Sequence, residues 1–130
     1  MVEKSVQMLF VGGYAPTGQA GLKAFTFDGA TAALTECGSY SGITNPSFVL
    51  PHPNGRWLYA VSETGVGSHG QHGDVWALRL EGSSEGVAFS ALNSQTTSGD
   101  WPCHLELDKS GRWLFASNYG SGSVAVFPLL

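Results

Sequence analysis

Charge is scarce in this chain, and basic charge scarcer still. Charged residues make up 12% of the 130, and only six are Lys or Arg. That is about half the usual charged share. A nucleic-acid surface needs clustered Lys and Arg, and here they are scattered, so no nucleic-acid partner is expected. The net charge of -4 likewise arises without an acidic or basic run. No apolar stretch approaches the length of a membrane span, about 18 residues or more, so no membrane partner is expected. The start, Met1-Val-Glu-Lys-Ser-Val-Gln, carries an acid and is unlike a leader peptide. Cysteine is limited to Cys37 and Cys103. Two free thiols in a reducing compartment, the cytoplasm by default, are expected. A sustained helical period is also missing.

What remains is glycine, aromatics and alternation. Eighteen glycines and 12% aromatic residues fit short strands joined by tight turns. Strands are expected at Met8–Gly13, Leu22–Phe27, Leu34–Tyr40, Ser47–Leu50, Trp57–Ser62, Val75–Leu80, Val87–Asn93, His104–Leu107, Trp113–Asn118 and Ser123–Phe127. Turn signals between them include Asp28-Gly, Pro53-Asn-Gly, Glu81-Gly-Ser-Ser and Lys109-Ser-Gly. Two stretches repeat at an offset of 56 residues: Pro46 matches Pro102, Gly55 matches Gly111, and Arg56-Trp57 matches Arg112-Trp113. A period of this size built from short strands is the sign of a β-propeller, one repeat per four-stranded blade.

On that reading the chain is one partial all-β propeller domain of about two and a half blades. Residues 8–43 form a blade lacking its innermost strand A, 44–98 a complete blade, and 99–130 a blade lacking its outermost strand D. A closed propeller needs about four to eight blades, so the chain is expected to be a fragment. Its partners are then the missing blades, or other copies meeting its open edges. The antiparallel path places both A–B turns at one end. Asn45, Pro46 and His104, at the starts of A strands, gather at the other end with Tyr14, Glu63, Asn118 and Tyr119, at the ends of B strands. This polar rim around the channel mouth is where a site is expected.

Several blocks carry a resemblance. Leu9-Phe-Val-Gly-Gly-Tyr, Asn45-Pro-Ser-Phe-Val-Leu, Gly55-Arg-Trp-Leu-Tyr-Ala-Val-Ser-Glu, Pro102-Cys-His-Leu-Glu-Leu-Asp and Ala116-Ser-Asn-Tyr-Gly-Ser-Gly-Ser-Val resemble the lactonase family of seven-bladed β-propellers. The best-known members of that family are bacterial 6-phosphogluconolactonases. The resemblance spans about Met8 to Leu129 and follows the family's N-terminal third. It implies hydrolysis of the phosphosugar lactone 6-phospho-D-glucono-1,5-lactone to 6-phosphogluconate, a step of the pentose phosphate pathway, with no metal or organic cofactor. Within the family, a muconate-lactone cyclase-like activity is an alternative. So is a non-catalytic propeller serving as a binding module, because fold alone does not fix function.

The resemblance implies a channel histidine, a carboxylate and arginines. His104 carries over as the histidine and Glu63 as the carboxylate, giving the candidate catalytic pair. The arginines would lie in later blades. The repeat places Phe48 where the next blade has His104, so the fold does not demand an imidazole there. An imidazole can take a proton from water and return it to the departing ring oxygen; the alternative is a core histidine bonded to backbone. Glu63 could orient His104 or hold a sugar hydroxyl. Asn45, Asn118 and Tyr119 are the candidate substrate-binding residues. Arg56 and Arg112 sit in the A–B turns at the far end and read as structural. His69 and His72 lie in a glycine-rich segment, Gly65–Gly73, read as a flexible loop without a third metal ligand. His52 reads as solvated. Cys103 reads as packed between blades, on the opposite face from His104.

Overall fold

The computed structural model describes residues 6–83 and 86–130. Met1–Ser5, which include most of the non-leader start and Lys4, lie outside the described residues, as do Ser84 and Glu85 of the Glu81-Gly-Ser-Ser turn. The strands in order are β1 (Val6–Val11), β2 (Leu22–Asp28), β3 (Leu34–Tyr40), β4 (Val49–Pro51) and β5 (Trp57–Ser62), then β6 (Asp74–Ser83), β7 (Gly86–Thr96), β8 (Pro102–Leu107), β9 (Trp113–Asn118) and β10 (Ser123–Pro128). One helical turn, α1 (Val66–His69), interrupts them between β5 and β6. The strands form three antiparallel sheets, ordered β1-β2-β3, β4-β5-β6-β7 and β8-β9-β10.

Alternation decides which neighbour each sheet packs against. In β5, Leu58 and Ala60 face the first sheet and join Leu22, Ile43 and Leu78 in one buried cluster. Tyr59 and Val61 face the other way and meet Leu105, Leu114 and Ala116 of the last sheet, together with Val75. Full burial of one leucine is worth roughly 2–3 kcal/mol, and Leu22, Leu58, Leu78, Leu105 and Leu114 are all at 0–1% exposure. The cores therefore lie between sheets, not within them.

The repeat is visible bond by bond. In the β4–β5 turn, His52 N–H donates to Trp57 O at 2.9 Å and Gly55 N–H to His52 O at 3.0 Å. In the β8–β9 turn, Asp108 N–H donates to Trp113 O at 3.1 Å and Gly111 N–H to Asp108 O at 3.0 Å. Both turns close through a glycine in the left-handed region, Gly55 at φ 73° and Gly111 at φ 70°, where L side chains are strained. His52 is not simply solvated: it is half-buried, and its Nε2 lies 3.0 Å from Gly111 O, tying the two turns together.

Candidate functional site

The rim is built on a second repeated device. Asn45 and Trp101 lie 56 residues apart, and both adopt the left-handed backbone, at φ 51° and 58°. The carbonyl of Asn45 accepts the Glu63 N–H at 3.0 Å, and the carbonyl of Trp101 accepts the Tyr119 N–H at 3.0 Å. Each A-strand start is thereby locked to the residue just past the neighbouring B strand. Asparagine tolerates this conformation, but for a bulky residue such as tryptophan it costs roughly 1–2 kcal/mol. Trp101 is held there by close packing: a Cβ on Gly65 or on Gly120 would collide with its indole, at 2.8 and 2.3 Å.

Glu63 is the centre of the rim cluster. Its backbone is clamped by Asn45, whose carbonyl accepts the Glu63 N–H and whose Nδ2 donates to Glu63 O at 3.2 Å. Its carboxylate accepts a hydrogen bond from Ser47 Oγ at 3.1 Å. The Tyr14 phenol is hydrogen-bonded to the same carboxylate, and this bond with the adjacent negative charge holds the phenol above its ordinary range. Tyr14 comes from the first sheet's β1–β2 connection, whereas Glu63 and Ser47 belong to the middle sheet, so the cluster spans a sheet boundary.

His104, on β8, reaches the chain segment that carries Ser47 through Phe48. It is exposed, and its ring lies 4.7 Å from the ring of Phe48, inclined by 53°. Phe48 and His104 are repeat equivalents, so the contact joins the same slot of two successive sheets. No hydrogen bond joins His104 to Glu63 among the described residues; the partners of Glu63 are Ser47, Tyr14 and Asn45.

Cys103 is not packed between blades. It is an exposed free thiol, close enough to Tyr14 to contribute to that phenol's electrostatics. The reason is a β-bulge. The β8–β9 register runs from Pro102↔Asn118 directly to His104↔Ser117, leaving Cys103 as the extra residue. Strict alternation, the basis for expecting Cys103 and His104 on opposite faces, fails at this bulge, and both are exposed.

The other candidates lie apart. Asn118 is only 2% exposed; its Nδ2 donates to Thr97 O at 3.2 Å and Ser123 Oγ at 3.1 Å, so that nitrogen serves the fold, while its buried Oδ1 has no hydrogen-bond partner among the described residues. Tyr119 is 84% exposed and free to contact a ligand. The segment Gly65–Gly73 is tied rather than loose. Asp100 Oδ1 accepts the Val66 N–H at 3.1 Å and lies 2.7 Å from His72 Nδ1. These bonds, that from His72 first, hold the Asp100 carboxyl below the usual range. His69 packs edge-on to Trp101 at 5.5 Å. Among the described residues no group of three or more His, Cys, Asp or Glu is placed to hold a metal.

Among the described residues the basic side chains do not converge. Arg56 and Arg112 are exposed in the turns at the opposite end. Lys23 pairs with Glu36 at 3.2 Å, and Arg79 lies 3.7 Å from Glu81. Sequence reasoning missed Ser47, Asp100 and Trp101. Only Trp101 left a signal there, as a break in the repeat opposite Asn45.

Comparison with known proteins places this rim in a family. Residues 8–130 match the family described as lactonase, 7-bladed beta-propeller. A 6-phosphogluconolactonase of Bacillus subtilis is 32% identical over 120 residues, covering 92% of this chain and 32% of the relative. A 6-phosphogluconolactonase of Formosa agariphila is 31% identical over 107 residues, covering 82% of this chain and 29% of the relative. Among solved structures, the periplasmic gluconolactonase of Pseudomonas aeruginosa superposes with a TM-score of 0.83 at 30% identity, over 97% of this chain and 35% of that one. The chain thus spans about a third of the length of each of these relatives. No helix among the described residues is long and apolar enough to cross a membrane. By the extent of the family match and its agreement with the sheet architecture, the chain belongs to the lactonase family of seven-bladed β-propellers.

Proposed function

We propose that these 130 residues are one part of a lactone hydrolase acting on 6-phospho-D-glucono-1,5-lactone, and that the rim cluster supplies part of its catalytic site. The observation that carries the reading is an exposed imidazole, His104, stacked on Phe48, whose chain neighbour Ser47 helps to fix the Glu63 carboxylate together with Tyr14 and Asn45. His104 takes a proton from the water that attacks the lactone carbonyl. As the ring C–O bond breaks, the imidazolium returns that proton to the departing oxygen, leaving the open-chain acid. Glu63 accepts hydrogen bonds from substrate hydroxyls, and Asn45 positions it through the backbone. Tyr119 covers the bound sugar with its exposed ring, and Asn118 fixes the loop carrying Tyr119. Phosphate ligands are assigned to further blades, because no basic residues converge among the described ones. The free thiols Cys37 and Cys103 support a cytoplasmic setting, which fractionation of the source cells would test.

The experiment is a chimera in which residues 1–130 replace the matching third of the Bacillus subtilis 6-phosphogluconolactonase. Hydrolysis of 6-phosphogluconolactone is expected. His104→Ala should lower kcat by about a hundredfold or more, and Glu63→Gln should chiefly raise KM, both with unchanged melting. A folded chimera whose turnover ignores His104→Ala would remove the catalytic role. A folded but inert chimera would favour a non-catalytic binding module.

A further inference from the structure

A second concave site lies outside the Glu63 cluster, where the first and middle sheets meet. Toward the rim, the apolar face of the middle sheet becomes polar. Leu58 pairs with Leu78 and Ala60 with Trp76, and the last pair is Ser62 with Asp74. Above this pair opens a cleft of about 320 Å3, lined by Thr17, Thr44, Ser62, His69, Asp74 and Trp76. That volume is within the range of small-ligand sites, roughly 300–1,000 Å3.

The hydrogen-bond inventory shows what the cleft still needs. Thr17 Oγ1 and Thr44 Oγ1 share a bond of 2.7 Å, and Ser62 Oγ donates to Thr44 O at 2.6 Å. His69 Nδ1 accepts the Gly65 N–H at 3.4 Å, which leaves Nε2 as the ring nitrogen available to a ligand. Asp74 differs from all of these. It is partly buried, and among the described residues its carboxylate has no hydrogen-bond or ion-pair partner. Burial alone pushes its pKa up. A desolvated carboxylate without a donor is costly, and a ligand that donates to it would recover that cost. No lysine or arginine lines the cleft, so an anion would meet only the Asp74 charge. The indole of Trp76 adds an apolar wall.

We propose that this cleft binds a neutral polyhydroxylated molecule of sugar or sugar-alcohol size. Its hydroxyls donate to Asp74 and accept from His69, and its C–H face lies on Trp76. The site is independent of the lactone reading. It excludes phosphorylated sugars by charge, whereas the rim reading requires one.

The test is saturation-transfer NMR on sorbitol with the 130-residue chain, a method that works whether the chain is monomeric or associated. Sorbitol should show saturable transfer in the millimolar range. Sodium gluconate and tetramethylammonium chloride should show none. Asp74→Asn should weaken sorbitol binding by about tenfold or more while melting no lower than the parent chain, and Thr17→Val should weaken it by a smaller factor while remaining folded. Absence of saturable transfer, or retention of full affinity in both variants, would overturn the proposal. Saturable binding of tetramethylammonium would make the cleft a cation site instead. Loss of sorbitol binding in Glu63→Gln with none in Asp74→Asn would move the polyol to the rim cluster.

Discussion

The middle and last sheets repeat each other in sequence, yet their outward faces have different fates. In the middle sheet, Tyr59 and Val75 are 4% and 7% exposed beneath the last sheet. Their equivalents in the last sheet, Phe115 and Val124, are 36% and 62% exposed. The first sheet shows the same contrast on its other side. Leu9 and Val11, facing away from the middle sheet, are 41% and 48% exposed, whereas Leu58 and Ala60 are fully buried. Burial at these positions is therefore conferred by the neighbouring sheet. A single sheet cannot hide both faces, and a run of three leaves one uncovered at each end.

That contrast predicts unequal costs for equivalent truncations. Tyr59→Ala opens the middle–last core and should cost about 3–5 kcal/mol in a urea titration. Phe115→Ala, at the same place in the uncovered face, should cost less than about 1 kcal/mol when both titrations are run dilute enough to keep the chain monomeric. Equal costs would mean that the last sheet's face is covered in solution.

The paired turns sharpen the comparison at smaller amplitude. Gly55 and Gly111 share a left-handed backbone, but a Cβ on Gly111 would lie 3.1 Å from His52 Nε2, whereas one on Gly55 meets nothing within 4 Å. Both alanine variants should destabilise by about 1–2 kcal/mol from backbone strain. Gly111→Ala should be the worse of the two, because it also disturbs the His52 bond to Gly111 O. Melting temperatures of the two variants check the order.

The smallest effect concerns acid. The last sheet caps its turn with Asp108, whose carboxylate accepts from the backbone N–H groups of Ser110, Arg112 and Trp113 and from Ser110 Oγ. These bonds, with the Ser110 hydroxyl first, hold its pKa down to about 2. The middle sheet uses His52 and Asn54 in the same turn, through Asn54 N–H to His52 Nδ1 at 3.1 Å and Arg56 N–H to Asn54 Oδ1 at 2.8 Å. A depressed carboxyl stabilises the fold above the ordinary carboxylate range, and that contribution fades as pH falls toward 2. Hydrogen-exchange protection in β9, taken relative to the intrinsic exchange rate at each pH, should therefore fall between about pH 4 and pH 2, and Asp108→Asn should flatten that response.

The fold was largely legible because its strands alternate and its turns repeat. Trp57–Ser62, Trp113–Asn118 and Leu34–Tyr40 occupy the expected residues; the first two are marked by their repeat and by the turn glycines before them. The outer strands of the middle sheet run longer than expected: β7 continues to Thr96 through polar, exposed residues that carry no alternation. The innermost strand of the middle sheet starts later, at Val49, because Ser47 N–H turns back to Asn45 O, whereas that of the last sheet starts earlier, at Pro102. The one-turn helix α1 is too short to show a period. At the rim, His104 and Glu63 stood out by breaking the repeat, against Phe48 and Tyr119. The Ser47–Glu63–Tyr14 link depends on how two sheets approach, and no local pattern encodes that. Cys103 was misplaced because a bulge defeats alternation without changing composition.

The most direct test of the account is sedimentation velocity on the isolated 130-residue chain. Uncovered faces carrying Phe115, Val124 and Val126 at one end and Leu9 and Val11 at the other should drive association. Species heavier than one chain are therefore expected, and lysines at Phe115 and Val126 should shift them toward the monomer. A monodisperse monomer that melts cooperatively would contradict the claim that these sheets depend on neighbours for their burial.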